Sequence, residues 1–417
     1  LVFVYQERKT MKNYDYDVIV AGGGPAGSTA ATLLAQHGHR VLLLEKGRHP
    51  RFHIGESMLP YSEPVVRRLG LDWHEGNVFK SGAVFIDEAQ GQEMFFQLSG
   101  EHRAVQLERS TFDTLLFDNA RRHGVETRQE CPVTGVECSQ DAIRVTTPEG
   151  PFRARYLVDA TGRSALMGRA ARTLERLTTL GRFALYSHFG PVQGPLAEEL
   201  YATGNIWVLV VDIGWWWVIP LAGRRVSVGL VVGGKKPAAT STERLYQQYL
   251  NASPRLSKLL EGAPQLWPLR SEANFSYLNH HRYGQLFISV GDAAGFLDPV
   301  FSSGVFLALT GAARAADRIH QGLAAGCEAD PDLHHPDDHS HALGFNTMYA
   351  FVERFYQSDL VHNVFFEAHR DAEIKQAIAE LLAGNLWQDA NPWQETLLRG
   401  RFAAKGTLLP TESILNW

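Results

Sequence analysis

Gly22, Gly24 and Gly27 stand in the spacing GxGxxG within the stretch Gly22-Gly23-Gly24-Pro25-Ala26-Gly27. That spacing suits a tight turn, close backbone approach to a pyrophosphate, and close packing of a helix on a strand. Glu45 follows 18 residues past Gly27, where a carboxylate can accept hydrogen bonds from a ribose diol. The fingerprint alone is weak, and its setting makes it specific. Residues 17–21 read as a buried strand, a helix runs to about His37, and 41–44 read as a second strand ending at Glu45. This βαβ unit predicts a bound dinucleotide, and the terminal acid argues against a 2′-phosphate on it. The other conspicuous group is Trp215, Trp216 and Trp217, followed by Val218, Ile219 and Pro220. Each buried indole needs a partner for its N–H. The ordinary reading is a buried strand, with Pro220 at its end or edge.

Two later segments must help position these groups. Residues 156–163, YLVDATGR, form a strand ending in a small-residue turn. Residues 286–295, LFISVGDAAG, form another strand and then a Gly-Asp turn. The Asp292 carboxylate there can hold a ribityl hydroxyl, and the glycines open a helix N-terminus toward phosphate. In this order, with the glycine fingerprint, the segments resemble the FAD-binding framework of the p-hydroxybenzoate hydroxylase-like flavoproteins. The resemblance brings Arg109 toward the cofactor, in the stretch containing Arg109, Phe112 and Asp113. Without it, Arg109 reads equally as a solvated residue at a helix start. No second glycine fingerprint for NAD(P)H is present. Between about Gly181 and Val232, short apolar runs such as 206–211 and 226–232 predict an antiparallel sheet covering the flavin ring.

The tryptophan run lies in that sheet, and its spacing matches the WxWxIP motif of the flavin-dependent halogenases through Trp215, Trp217, Ile219 and Pro220. Phe296, Pro299, Ser302 and Gly304 fit the FxxPxxSxG pattern of the same family. Lys80, in FKSGAVF, falls where the family's catalytic lysine is expected, and Gly55-Glu56-Ser57-Met58-Leu59-Pro60 is also similar. The resemblance covers residues 16–317. Taken singly, a lysine after a loop is ordinarily a solvated surface residue, and 296–304 could be a plain helix-capping turn.

The resemblance implies FADH2- and O2-dependent halogenation through a flavin C4a-hydroperoxide, attacked by chloride or bromide to give hypohalous acid. The acid would travel along an internal passage to Lys80, which passes electrophilic halogen to an electron-rich ring. Trp215 and Trp217 would wall substrate from flavin, since contact would give hydroxylation. Backbone amides at Ser303 and Gly304, opening a helix over 305–316, would hold the halide. One departure narrows the substrate. The tryptophan-acting enzymes carry glutamate before Ser-Thr-Gly, and here Phe301 precedes Ser302-Ser303-Gly304. A phenolic or pyrrolic ring is therefore expected, free or tethered to a carrier protein, with a separate flavin reductase supplying FADH2. Alternatives of other kinds are a geranylgeranyl-reductase-like reductase or monooxygenase of the same fold, and a flavin-binding redox sensor.

The expected architecture is α/β. A Rossmann-like FAD-binding domain over 15–175 and 270–325 is interleaved with an antiparallel-sheet substrate domain over 76–108 and 176–269, with C-terminal helices over 340–417. A chain of 417 residues with a formal charge of -5 offers no electrostatic case for nucleic acid. Three scattered cysteines, Cys131, Cys138 and Cys327, suit a reducing cytoplasm. No apolar run reaches transmembrane length, and the opening residues lack a signal-peptide pattern. Residues 1–10 read as a tag remnant or upstream sequence. Phe345, Met348, Val352, Phe355 and Tyr356 share a helical face, continued by Val361, Val364 and Phe365. Residues 329–341, rich in Asp, Pro and His, read as an exposed loop, and His334, His335, His339 and His341 there are not assigned to a metal.

Overall fold

The computed structural model describes residues 14–98, 102–233, 241–357, 372–387 and 391–405. The opening residues 1–10 and the apolar trio Val361, Val364 and Phe365 lie outside the described residues.

Tyr16–Ala21 pairs in parallel with Val41–Leu44 on one side and with Gly150–Asp159 on the other. Gly150–Asp159 pairs in turn with Phe287–Ser289, and Val41–Leu44 with Glu126–Arg128. The central segments 18–21 and 41–44 read as unbroken apolar runs because both sheet faces are covered there. Val18 to Ala21 and Val41 to Leu44 are all buried. Helix Pro25–Gln36 starts with proline in its first turn, where the fixed φ suits a helix and the missing N–H is not needed. It packs against helices Arg109–Arg122 and Ser303–Ala325. The last of these begins two residues earlier and runs nine residues further than the sequence pattern suggested.

The second sheet runs Arg270–Ala273, Arg182–Phe189, Arg225–Gly233, Gly214–Leu221, Ile206–Val211, Gly82–Asp87 and Gln92–Gln97 in spatial order. Its pairs are antiparallel except Ile206–Val211 with Gly82–Asp87. Strand side chains alternate between faces, so the tryptophan run is divided. Trp215 and Trp217 point into a core shared with the C-terminal helices, alongside Phe345, Met348 and Phe355. Trp216 points the other way, against Tyr246. Pro220 is tolerated because the ladder with Ile206–Val211 stops at Val218, so that side asks no N–H of it.

Two short strands, Val78–Lys80 and Ala104–Gln106, form a separate ribbon that carries Lys80. The C-terminal helices are His335–Gln357, Ala372–Ala383 and Pro392–Lys405. The exposed-loop reading of 329–341 is corrected at its second half. A helix starts at His335, and His334 is fully buried, 3.0 Å from the Tyr156 hydroxyl. The acids that suggested a loop are the first-turn residues Asp337 and Asp338, favoured at a helix N-terminus. They are held by Arg318 at 3.1 Å and Arg282 at 2.7 Å. Among the described residues no helix is long and apolar enough to cross a membrane.

Candidate functional site

The glycine turn joins the first strand to its helix under tight steric limits. Gly22 has φ +106°, and a Cβ there would lie 2.2 Å from the Ala160 carbonyl oxygen. A Cβ on Gly27 would lie 1.8 Å from the Gly22 oxygen, so helix and turn touch through backbone alone. Gly24 differs, since a Cβ there would meet only Arg51 Nη2, at 3.7 Å. Glu45 ends the second strand with its carboxylate over this turn. It accepts the N–H groups of Gly23 and Gly47, both at 2.8 Å, with Arg51 Nη2 at 3.4 Å. Burial alone would raise its pKa, but Arg51 and those two N–H groups outweigh burial and hold it below the ordinary value.

Arg109 opens helix Arg109–Arg122 with its guanidinium buried. Nε and Nη2 donate to the two Asp113 oxygens at 2.7 and 3.1 Å, and Nη1 donates to the Ile54 carbonyl at 2.8 Å. Burial opposes the charge, yet Asp113 raises the arginine pKa. Asp292, in the Gly-Asp turn, has no ion-pair partner within 4.0 Å among the described residues. Burial pushes its carboxyl up to about 6 against the pull of Arg109 and Arg163. These donors and acceptors fit FAD: an open glycine turn flanked by Arg51 for pyrophosphate, Glu45 for a ribose diol, and Asp292 for a ribityl hydroxyl. Asp159, in the intervening strand, is taken up internally. Its oxygens accept from Thr161 N at 3.1 Å, Thr161 Oγ1 at 2.6 Å and Met167 N at 2.8 Å, so it shapes the turn.

Ser303 and Gly304 begin the long helix, after Ser302 at φ +57°. A cavity of about 60 Å³ is lined in part by Asp292, Ser303 and Gly304. Gly304 admits the Phe296 ring, 2.9 Å from where a Cβ would be. Phe301 turns away into Phe351 and Phe355, with ring centroids 5.9 and 5.8 Å apart.

Lys80 is 8% exposed. Its Nζ donates to Ser57 Oγ at 2.8 Å and to the Met58 carbonyl at 3.3 Å. No carboxylate lies within ion-pair distance among the described residues. Burial lowers its pKa from 10.5 to about 7. Trp215 and Trp217 lie side by side, with centroids 6.0 Å apart. The Trp217 indole covers Gly229, where a Cβ would be 2.1 Å from the ring, and its Nε1 donates to Ser227 Oγ at 3.2 Å.

Thus Gly22, Gly24, Gly27 and Glu45 converge on one turn, Arg109 and Asp292 interact electrostatically, and Ser303 and Gly304 lie together. Lys80 does not touch the turn at Ser303 and Gly304 directly. Residues 54–58 bridge them. A Cβ on Gly55 would meet Arg109 Nη1 at 3.1 Å and Val305 Cγ2 at 3.9 Å, while Ser57 and Met58 receive Lys80.

Three features escaped the sequence reading. Arg51 stands between Glu45 and Asp113, at 3.4 and 3.6 Å. Trp215 Nε1 donates to Tyr356 Oη at 2.8 Å, and Tyr356 donates onward to the Asp298 carboxylate, 3.1 Å from each oxygen. Burial raises the Asp298 pKa to about 7. Glu56 pairs with His188, Oε2 to Nε2 at 3.0 Å. The one signal for His188 was a polar residue on the core-facing register of its strand, with Ala184 and Tyr186.

Similarity to known proteins follows the same geometry. The tryptophan halogenase family profile matches residues 17–103 and 96–405. A tryptophan 2-halogenase of Chondromyces crocatus is 34% identical over 74% of this chain, which spans 61% of that protein's length. A 1H-pyrrole-2-carbonyl-[peptidyl-carrier protein] chlorinase of Pseudomonas fluorescens is 29% identical over 90% of this chain and 91% of its own. A flavoprotein/dehydrogenase structure from Cytophaga hutchinsonii superposes with TM-score 0.82 at 27% identity, covering 92% of this chain and 96% of that one. The flavin-dependent brominase Bmp2 superposes with TM-score 0.81 at 26% identity, covering 93% of this chain and 98% of that one. With the profile covering both the cofactor cradle and the lysine ribbon, the chain belongs to the tryptophan halogenase family of flavin-dependent halogenases.

Proposed function

We propose that this protein halogenates an electron-rich aromatic ring, pyrrolic or phenolic, with Lys80 as the group that transfers halogen. The carrying observation is the lysine itself: buried, hydrogen-bonded to neutral acceptors, and lowered to a pKa of about 7. Bound reduced FAD, with O2 and chloride or bromide, supplies hypohalous acid. The amine of Lys80 holds that acid by hydrogen bond, or attacks its halogen, breaking the O–halogen bond and releasing water; the halogen then passes to a ring carbon, which loses its proton. Taking the halogen needs the lone pair of a neutral amine, which an ammonium lacks, and burial favours the neutral form near pH 7.

Other residues keep the chemistry in order. Backbone N–H groups at Ser303 and Gly304 favour an anion at the helix start. Trp215 and Trp217 form an apolar wall, fixed by Tyr356 and Ser227, between the cradle and the ring site. Phe301, inside an aromatic cluster, offers the ring no carboxylate. A substrate activated by its own heteroatom is therefore favoured. The pyrrole-acting relative, matched over 90% of this chain, supports that ring class and a carrier-tethered form of it. A separate flavin reductase supplies FADH2.

The test is mass spectrometry of products from protein given FAD, a flavin reductase, NADH, O2 and bromide, with phenols, pyrroles, indoles and carrier-bound pyrroles. A bromine isotope doublet on a pyrrole or phenol is expected. Bromination restricted to free tryptophan would overturn the ring assignment, and hydroxylated or reduced products without bromine would overturn the halogenase reading.

A further inference from the structure

We propose that the buried Glu56–His188 pair is a holding site for hypohalous acid between the cofactor cradle and Lys80, an inference that rests on the halogenation reading above. Glu56 occupies the middle of the bridging residues 54–58. Ile54 on one side accepts from Arg109 at 2.8 Å, and Ser57 and Met58 on the other accept from Lys80 at 2.8 and 3.3 Å. Its main chain is fixed by Leu107 N donating to Glu56 O at 2.9 Å and by the bridge of Ser57 to Gln106. The side chain is then turned to strand Arg182–Phe189, where His188 waits at 3.0 Å.

Both side chains are 1% exposed. Glu56 Oε1 and His188 Nδ1 nevertheless have no hydrogen-bond partner among the described residues. An unpartnered buried polar atom costs about 1–3 kcal/mol, more when charged, so two in one pair point to a small polar guest. The surroundings say which kind. His188 lies opposite Ser227, whose Oγ takes the Trp217 indole N–H, so the pair adjoins the tryptophan wall. Phe52 covers it, its ring 5.4 Å from the imidazole and 6.1 Å from the stacked Tyr186 ring.

A carboxylate offers halide and hypohalite anions no N–H or O–H to bind. It accepts a hydrogen bond from a neutral O–H. Hypohalous acid is small, neutral and an O–H donor, and Glu56 Oε1 is an open acceptor for it. The site thus passes the neutral oxidant toward Lys80 while keeping halide in the cradle. No bond is made or broken at the pair, and the acid is held by hydrogen bonding alone.

The test compares wild type with Glu56→Gln and with the double variant Glu56→Leu/His188→Leu. Removing both partners of a buried pair is often tolerated, whereas removing one leaves the other uncompensated. In the complete assay with FAD, reductase, bromide and ring substrate, three yields are measured per O2 consumed: halogenated ring, hydrogen peroxide, and monochlorodimedone brominated in solution. For the double variant, loss of a hydrogen bond to a charged group lowers ring product per O2 about tenfold or more. Monochlorodimedone bromination should rise to match, with peroxide yield and FAD affinity by fluorescence quenching unchanged. Glu56→Gln should show the same redistribution to a smaller degree and carries the test if the double variant does not fold. Ring product per O2 equal to wild type overturns the holding site, as does a loss that reappears as hydrogen peroxide. If wild type itself halogenates neither ring nor scavenger, the halogenation reading fails instead.

Discussion

Two buried cations, Arg109 and Lys80, stand at opposite ends of residues 54–58 and meet opposite fates. Their exposures are close, 4% and 8%. Arg109 has a carboxylate bound through two hydrogen bonds, and its pKa rises despite burial. Lys80 has a hydroxyl and a carbonyl, and burial takes it down to about 7. Burial by itself penalises both charges, and the presence or absence of a countercharge decides the outcome. The Arg109 end keeps its cation, paired with Asp113. The Lys80 end keeps an amine whose pKa burial lowers to about 7.

Removing the amine breaks this contrast with the largest expected effect. Lys80→Ala should lower ring halogenation by about 10²–10⁴-fold or more, with O2 consumption and FAD binding near wild type. Lys80→Arg should be nearly as poor, because a guanidinium does not deprotonate in this range. Rates of O2 uptake and of halogenated product, measured on the same samples, check both. Recovery of activity in Lys80→Arg would mean that charge, not the neutral amine, is what the site uses.

Breaking the other end should cost stability before chemistry. Asp113→Asn leaves Arg109 buried without its anion, a loss of about 3–5 kcal/mol. Denaturant unfolding of the FAD-free protein should show it as a lower midpoint, with weaker FAD binding. An unchanged midpoint would show that Arg51, 3.6 Å from Asp113, or another group takes over the pairing.

Giving Lys80 what Arg109 has should make the two ends alike. Ser57→Asp places a carboxylate where the Lys80 ammonium now meets a hydroxyl, and an adjacent opposite charge raises a lysine pKa by about one to three units. The neutral fraction at pH 7 then falls about fivefold for a rise of one unit and about 500-fold for three, and halogenation with it, recovering as the pH is raised toward the new pKa. A pH–rate series on both proteins decides this, and an unshifted alkaline limb would contradict the role given to the neutral amine.

The two ends were also unequally legible in the sequence. The cradle is built from neighbours in the chain: Gly22, Gly24 and Gly27 make one turn, and Glu45 ends the next strand, so spacing alone carries the geometry. The strand alternation that parts Trp216 from Trp215 and Trp217 is likewise a local property. The Lys80 end is not local. Lys80 meets Ser57 across 23 residues, Glu56 meets His188 across 132, and Trp215 meets Tyr356 across 141. Resemblance nominated Lys80, but its lack of a carboxylate, which sets its chemistry, is a fact of tertiary packing. The histidine-rich stretch failed for a related reason. Composition suggested solvent, whereas the fold starts a helix at His335 and pairs its first-turn acids Asp337 and Asp338 with Arg318 and Arg282.

The smallest expected effect concerns stability, and its sign follows from linkage. Folded Lys80 has a pKa of about 7 against an ordinary 10.5. Between those values the unfolded chain binds the proton and the folded chain does not, so this group makes stability rise with pH across that window. Below pH 7 both states are protonated, and the full penalty of burying the ammonium is present. Lys80→Met, of similar length and apolar, removes the penalty. It should therefore be more stable than wild type at pH 6.5 by up to about 4 kcal/mol, with the gap closing steadily toward pH 9.5. Taking the difference between two proteins that share every other titrating group isolates Lys80, which a single pH–stability curve would not do. Asp113→Asn serves as the contrast, because Arg109 keeps its proton throughout and that variant's deficit should not change between pH 6.5 and 9.5. A Lys80→Met advantage that is flat over the same range would mean that the amine keeps one protonation state in the folded protein, and the distinction between the two ends would then rest on geometry alone.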